Sequence, residues 1–388
     1  MKLITDTDTL ARTVELLSKS DFVTVDTEFL RETTFWPQLC LIQLASSDVT
    51  ALIDPLAPGI DLAAFFALMA NKNVIKVFHA ARQDIEIIHH LGNLIPEPVF
   101  DTQVAAMVCG YGDSASYDSL VAKITGHQLD KSSRFTDWSK RPLSEKQLAY
   151  ALADVTWLRD IYHKLHRQLK ESGRADWLKE EMALLTNPDT YAPPPENAWK
   201  RVKGRVRKPR ELAVLQHIAL WRELEAQQQN IPRGRILKDD SLIEIAIQQP
   251  KDKITLANLR SLPRGWENSA QASALLQAVA QGLATPKESL PQIKHKALTG
   301  EANKSEVEIL KLLLKLVTEE HKVAARIVAT SEDIEKIVSD RDTTAIPAMQ
   351  GWRFELFGKK ALAMLAGHMG IKIDNGAIQL FDIRQAEQ

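Results

Sequence analysis

Five residues in three separate segments carry the chemistry this sequence offers: Asp26 and Glu28 in VDTEF, Asp84 in HAARQD, and Tyr150 with Asp154 in YALAD. Together they read as a nuclease site built around two metal ions. The stretch FVTVDTEF (Phe22 to Phe29) is rich in β-branched and aromatic residues and holds no Gly or Pro, which predicts a strand. Side chains alternate across a strand, so Asp26 and Glu28 share one face, and two carboxylates there suit a hard divalent cation. Thr27, between them, points its side chain to the opposite face and leaves its backbone to meet a terminal nucleotide. A bare Asp-x-Glu is common at solvated strand ends, so the weight rests on the other two segments.

Ser144, with Gln147 three residues on, forms a capping-box signature ahead of a run in which Leu148, Ala151, Leu152, Val155, Leu158, Tyr162 and Leu165 recur at helical spacing. Tyr150 and Asp154 lie beside that apolar stripe, four residues apart and therefore on one helix face. Asp84 falls in the first turn of a helix, AARQDIEIIHHL ending at Gly92, that follows the strand NVIKVF. Open α/β sheets place ligands at that end of their strands. His79, just before this helix, either contacts substrate or finishes the strand.

In conjunction these residues resemble the DEDD family of 3′-to-5′ exonucleases, whose motifs carry Asp-x-Glu, an Asp, and a final Asp preceded four residues earlier by Tyr or His. Tyr150 places the chain in the tyrosine subclass. The strings TEFLRETTFWPQLCLIQL, FDTQVAAMVCG and TDWSKRPLSEKQLAYALADV extend the likeness to the ribonuclease D family, in the right order and over essentially the whole chain. The resemblance implies that Asp26, Glu28, Asp84 and Asp154 hold two ions, that Tyr150 orients the attacking water, and that nucleoside 5′-monophosphates leave the 3′ end of RNA, with tRNA precursors as the substrate class. Two cations can clamp both the attacking and leaving oxygens of an in-line displacement. All the ligands offer oxygen, and the sequence has no Cys/His cluster of the kind zinc prefers, so magnesium or manganese is expected.

The supporting elements follow. A short helix, three strands near residues 22–28, 39–45 and 49–53, a helix near 61–70, and alternating strands and helices to about residue 125 resemble the ribonuclease H-like α/β fold with a mixed sheet. The segment Asp130 to Pro142 lacks a period and reads as a loop near the site, where Arg134, Trp138 and Arg141 are candidates to meet phosphates or bases. The exonuclease domain is expected over 1–183. A linker over 184–210 follows, with four prolines in TNPDTYAPPPEN and seven cations without an acid in WKRVKGRVRKPR, a run suited to phosphates or simply to solvent.

Two small all-α domains are expected at 211–284 and 305–388, separated by a linker at 285–304. They look like a tandem duplication: Arg235-Ile236-Leu237 before LIEIAI matches Arg326-Ile327-Val328 before DIEKIV, and Gly265-Trp266 matches Gly351-Trp352. This resembles paired helicase-and-ribonuclease-D C-terminal (HRDC) domains, with both tryptophans as core anchors.

With 388 residues the chain suits two or three domains. Its net charge of −1 excludes a uniformly basic surface, so any nucleic-acid track must be local. Only Cys40 and Cys109 occur, both in apolar surroundings, which argues against disulfides and for a reducing cytoplasm. No signal peptide, membrane span or obligate protein partner is expected. The rivals are a DNA 3′-to-5′ exonuclease and a catalytically silent RNA-binding scaffold. Against the scaffold, clustered anions without metal repel phosphate.

Overall fold

The structure is a computed structural model that describes residues 3–130, 132–133, 136–293, 301–340 and 346–383. After α1 (Thr7–Leu17), the strands β1 (Phe22–Leu30), β2 (Gln38–Ala45) and β3 (Thr50–Ile53) form an antiparallel meander. Then come α2 (Ala63–Ala70), β4 (Ile75–Phe78), α3 (Arg82–Gly92), β5 (Val99–Asp101), α4 (Thr102–Val108) and α5 (Tyr117–Thr125). The sheet order is β3-β2-β1-β4-β5, with β4 parallel to β1 and to β5, so it is mixed as expected.

The long α6 (Glu145–Glu171) opens with the predicted capping box, Gln147 N donating to Ser144 Oγ at 3.3 Å and Ser144 N to Gln147 Oε1 at 3.0 Å. Its buried face of Val155, Leu158, Ile161 and Leu165 lies on the sheet, each such side chain contributing about 1.5–3 kcal/mol of burial. Thr24 fixes the register of helix on sheet: its hydroxyl stands 2.9 Å from the Val155 carbonyl and 3.0 Å from that of Ala45. Asp26, two residues on, shares Thr24's face, so the same contact delivers α6 to the acids.

Beyond α7 (Ala175–Leu185) the expected linker proves to be partly structural. Residues Pro195–Arg201 form a 3₁₀ helix, and Ala198 and Val202 are buried in the core of the first helical module. That core joins them to α8 (Pro209–Gln229), α10 (Asp239–Gln248) and α12 (Ala272–Ala284), with short α9 (Arg233–Ile236) and α11 (Lys253–Ala257) between. Ala198 and Val202, four residues apart beyond the prolines, draw the segment into that core, while Tyr191 before the prolines packs in the exonuclease core. The second module contains α13 (Glu301–His321), α14 (Ala325–Val328) and α15 (Ser331–Asp340). Helix α13 begins inside the expected second linker, of which residues 294–300 lie outside the described residues. Pro209 and Glu301, Arg233 and Ala325, and Asp239 and Ser331 open equivalent helices, each pair 92 residues apart.

The second module is not wholly helical. Strands β6 (Met369–Asp374) and β7 (Ala377–Asp382) form a hairpin around Asn375 and Gly376, both at positive φ (49° and 80°). An Asn-Gly pair between alternating apolar residues is the two-residue turn whose twist matches paired strands, and here it outweighs the helical character of the sequence before it.

The two modules attach differently. The first keeps its own core and meets the exonuclease domain through a small cluster of Phe35, Ala226 and Ile236 and a bond from Trp36 N to Asn230 Oδ1 at 3.0 Å. The second shares one continuous core with the exonuclease domain. Trp352 stacks on Trp177 at 4.2 Å, Ala324 N donates to the Met107 carbonyl at 2.9 Å, and Arg353 is gripped by Glu180 and Glu181 of α7. Trp266 packs against the first module's core, so both tryptophans anchor apolar interfaces.

Candidate active site

Asp26 and Glu28 project from β1 and Asp154 from α6, and one carboxylate oxygen of each lies within 4.8 Å of the others. Asp84 stands outside this trio. Its Oδ1 accepts a bond of 2.5 Å from Thr27 Oγ1, the hydroxyl that leaves the strand on the face away from Asp26 and Glu28. It is nevertheless close enough to repel both. Burial raises Asp26 well above the ordinary carboxylate range, and repulsion from Asp154 adds to it. Burial, then Asp26, Asp154 and Asp84, push Glu28 up to about 10. Asp84 is raised by burial and by Asp26, with the Thr27 hydroxyl pulling back.

Among the described residues lining the pocket beside Asp26 and Asp154 there is no Lys or Arg. The donor set is all oxygen. Gln43, paired across the ladder with Asp26 and fully buried, has neither amide nitrogen nor amide oxygen hydrogen-bonded. Like-charged, desolvated carboxylates converging within ligand distance fit a hard divalent cation.

The pocket holds about 290 Å³ and is walled by Asp26, His79, Gln103, Tyr117, Tyr150 and Asp154. Burial and the neighbouring carboxylates, Asp154 first, hold the Tyr150 phenol far above its usual value. His79, kept neutral by burial, places Nδ1 3.0 Å from Thr102 Oγ1 and lines the pocket beside Tyr117.

The loop residues behave differently from expectation. Trp138 is 2% exposed and packs with Cys40, Leu41, Leu143 and Ala151, its ring 6.1 Å from that of Tyr150. It supports the tyrosine from behind and has no surface for a base. Arg141 is also spoken for: it forms a two-pronged pair with Asp54 at 2.7 and 2.6 Å and donates to the Cys40 carbonyl at 2.7 Å. It pins the loop to the sheet. Arg134 lies outside the described residues. In the basic run, Arg201 pairs with Glu223, and Arg210 donates to the Leu283 and Thr285 carbonyls at the end of α12.

Asp101 was missed by the sequence reading. Its carboxylate accepts from Ala80 N at 3.2 Å and Ala81 N at 2.8 Å while capping α4 through Gln103 N at 2.8 Å. Ala80 sits at φ 59°, a left-handed conformation that costs a residue with a Cβ about 1 kcal/mol, and Asp101 holds that turn so that His79 and Asp84 flank it. An Asp at a strand end directly before a helical Thr-Gln was the available signal. Tyr117, whose hydroxyl donates to the Ala153 carbonyl at 2.9 Å, was missed as well.

A mixed sheet bearing an Asp-x-Glu strand, with a Tyr and an Asp brought to it by one long helix, defines a 3′–5′ exonuclease, and residues 1–170 match the 3′-5′ exonuclease family. The relatives narrow the class. Ribonuclease D of Bartonella henselae is 58% identical over 97% of this chain and 93% of its own length, and that of Nitrobacter hamburgensis 52% over 97% and 98%. The crystal structure of Escherichia coli RNase D, described as an exoribonuclease involved in structured RNA processing, superposes with a TM-score of 0.83 at 30% identity, covering 95% of this chain and 99% of that one. Residues 211–279 match the HRDC domain family. The chain belongs to the ribonuclease D family. It is accordingly a 3′–5′ exonuclease that hydrolyses RNA. Among the described residues no helix is long and apolar enough to cross a membrane.

Proposed function

We propose that this chain trims RNA from the 3′ end one nucleotide at a time, with two magnesium or manganese ions, and that tRNA precursors with 3′ trailing nucleotides are among its substrates. The single observation that carries the mechanism is the convergence of Asp26, Glu28 and Asp154 within 4.8 Å, with Asp84 close enough to repel Glu28 and no Lys or Arg among the described residues lining the pocket beside Asp26 and Asp154. When bound, the ions supply charge stabilisation for the attacking and leaving oxygens and acidify the water. Asp26, Glu28, Asp84 and Asp154 would hold them, and the Thr27 hydroxyl keeps Asp84 turned and favours its ionised form against the burial that raises it. Tyr150 positions the attacking water, its phenol lying within the same pocket as Asp26 and Asp154. His79, Tyr117 and the backbone of Thr27 border the space of the terminal nucleotide. The RNA and tRNA assignment rests on the family; the carboxylates themselves are indifferent to the sugar. The two helical modules, the second read as a diverged HRDC-like copy of the first, receive the body of the substrate.

The test is a time course on a 5′-labelled single-stranded RNA beside its all-deoxy counterpart and a precursor tRNA, with magnesium, manganese or chelator. A metal-dependent ladder shrinking by single nucleotides is expected, faster on RNA. Tyr150→Phe removes one hydrogen bond to a charged reacting group, about 1.5–3 kcal/mol, so turnover falls roughly 10- to 100-fold while affinity in calcium holds. Internal cuts, or a ladder indifferent to chelator, would overturn the reading.

A further inference from the structure

Two cavities flank the catalytic carboxylates. The first is the pocket beside Asp154, Tyr150 and His79, whose 290 Å³ lies at the small end of ligand sites, which run from about 300 Å³ upward. The second is a cleft of about 410 Å³ on the Asp84 side. One wall belongs to the exonuclease domain: Arg31, three residues beyond Glu28 at the end of β1, with Arg82 and Glu86, which bracket Asp84 in the first turns of α3. The opposite wall belongs to the strap and first helical module, with Tyr191, Arg201, Glu223 and Arg233. Nearness to the acids shows in Tyr191. Burial pushes its phenol up to about 12, Arg82 opposes, and Asp101, Glu86 and Asp84 add to the rise.

The two cavities carry opposite charge. The pocket is lined by Asp26, Asp118 and Asp154 with no Lys or Arg, whereas the cleft sets four guanidinium groups against two carboxylates. In a chain of net charge −1 that surplus is local. Arg31 is spent on Glu86 through a two-pronged pair at 2.6 and 2.7 Å, and Arg201 and Arg233 share Glu223. Arg82 is exposed and makes no hydrogen bond or ion pair among the described residues. Trp36, on the cleft wall, is already stacked at 4.1 Å on His90, which fixes its plane.

A nuclease that removes the last nucleotide has one nucleotide on the 3′ side of the scissile phosphate and the whole strand on the 5′ side. The small acidic pocket takes the first. We propose that the cleft of Arg31, Arg82 and Arg233 is the upstream track, binding the phosphates of a single-stranded RNA on the 5′ side of the scissile bond, with Arg82 as its free cation and Trp36 as a ring for a base. This rests on the 3′-exoribonuclease reading given above.

Arg82→Gln and Arg82→Glu test it, on an exposed side chain outside the catalytic set. A fluorescent 12-nucleotide oligouridylate is titrated in calcium at several salt concentrations, and hydrolysis of the dinucleotide UpU, which has no phosphate upstream of its single linkage, is followed in magnesium. The Gln variant should weaken 12-mer binding about 3- to 10-fold, the Glu variant further, and the salt dependence should become shallower by about 0.7 in logarithmic slope, the worth of one single-strand phosphate contact. UpU turnover should stay within twofold. Unchanged 12-mer binding, or a parallel loss on UpU, overturns the cleft assignment. A wild-type protein that leaves the 12-mer uncut in magnesium overturns the exoribonuclease reading itself, a result visible before any variant is made.

Discussion

Two regions of this molecule bury carboxylates in opposite ways. In the exonuclease domain Asp26, Glu28 and Asp154 converge with Asp84 beside them, no Lys or Arg is among the described residues lining the pocket at Asp26 and Asp154, and burial with mutual repulsion raises Asp26, Glu28 and Asp84. In the first helical module Glu223, 4% exposed at its side chain, lies between Arg201 and Arg233. Burial pushes it up, but the two guanidinium groups more than reverse this and its pKa ends below the ordinary value. The same chemical group is thus paired with cations in one place and set against other acids in the other. A carboxylate whose cationic partners come with the chain spends its charge on the fold, whereas carboxylates that repel one another across a shared site are left for a cation from outside, the role proposed above for Asp26, Glu28, Asp84 and Asp154.

The sharpest way to break this contrast is Asp26→Asn. Turnover should fall at least about a thousandfold, the scale of losing one electrostatic partner of a charged transition state. Without metal the variant should be more stable than the parent, because a repelling charge has been removed. The sign follows from linkage. Groups raised in the folded state hold protons that the unfolded chain releases, so between the ordinary carboxylate pKa and their raised values the metal-free parent loses stability as pH rises. Glu28, raised from 4.5 to about 10, spans the neutral range. Thermal unfolding in chelator from pH 5 to 8 should therefore show the variant's advantage growing with pH. A variant less stable throughout would make Asp26 a structural residue like Glu223.

Glu223→Gln is the converse. It leaves two arginines without their shared anion and should cost the first module about 3 kcal/mol, the low end for a broken buried pair because the arginines are 40% and 37% exposed. Here the linkage runs the other way. A depressed carboxylate contributes stability above its unfolded pKa, about 4.3, and that contribution disappears as pH falls through the folded value. Parent and variant should unfold alike in strong acid and diverge toward neutrality. A gap that persists at low pH would show that packing, not charge, was lost.

How much of this was legible in the sequence follows the range of the interactions. Asp26 and Glu28 were placed by strand alternation, and Tyr150 and Asp154 by helix spacing from a cap, all set by residues within a few positions. Asp84 came from its place after a strand. Trp138 and Arg141 were misjudged because polar and aromatic residues in an aperiodic loop look available. Arg141's partner Asp54 is 87 residues away, and no local pattern reports it. Glu223 between its arginines, Asp101 under the Ala80 turn and Gln43 opposite Asp26 are likewise settled by pairings across the fold. The hairpin is the exception, since Asn375-Gly376 was in plain view and helical character nearby obscured it.

Thr27 offers the smallest and most discriminating change, because its hydroxyl donates to Asp84, one of the four proposed metal ligands. Strand alternation turned its side chain away from Asp26 and Glu28, and the structure shows that this direction leads to Asp84. A hydroxyl can steady an ionised carboxylate through a short, charge-assisted bond and, unlike an arginine, leaves the negative charge intact for a cation. Thr27→Val keeps the shape and removes the donor. Asp84 should then rise further, and metal affinity and turnover should each fall roughly tenfold, within the 1.5–3 kcal/mol of a hydrogen bond to a charged group. Thr27→Ser, which retains the donor, should recover most of both. In chelator the Val variant should unfold close to the parent, since a protonated Asp84 has less need of the bond, and the deficit should appear as a smaller stabilisation on adding manganese. If the Val protein lost the same stability with and without metal, Thr27 would belong with Glu223 among the residues that build the fold.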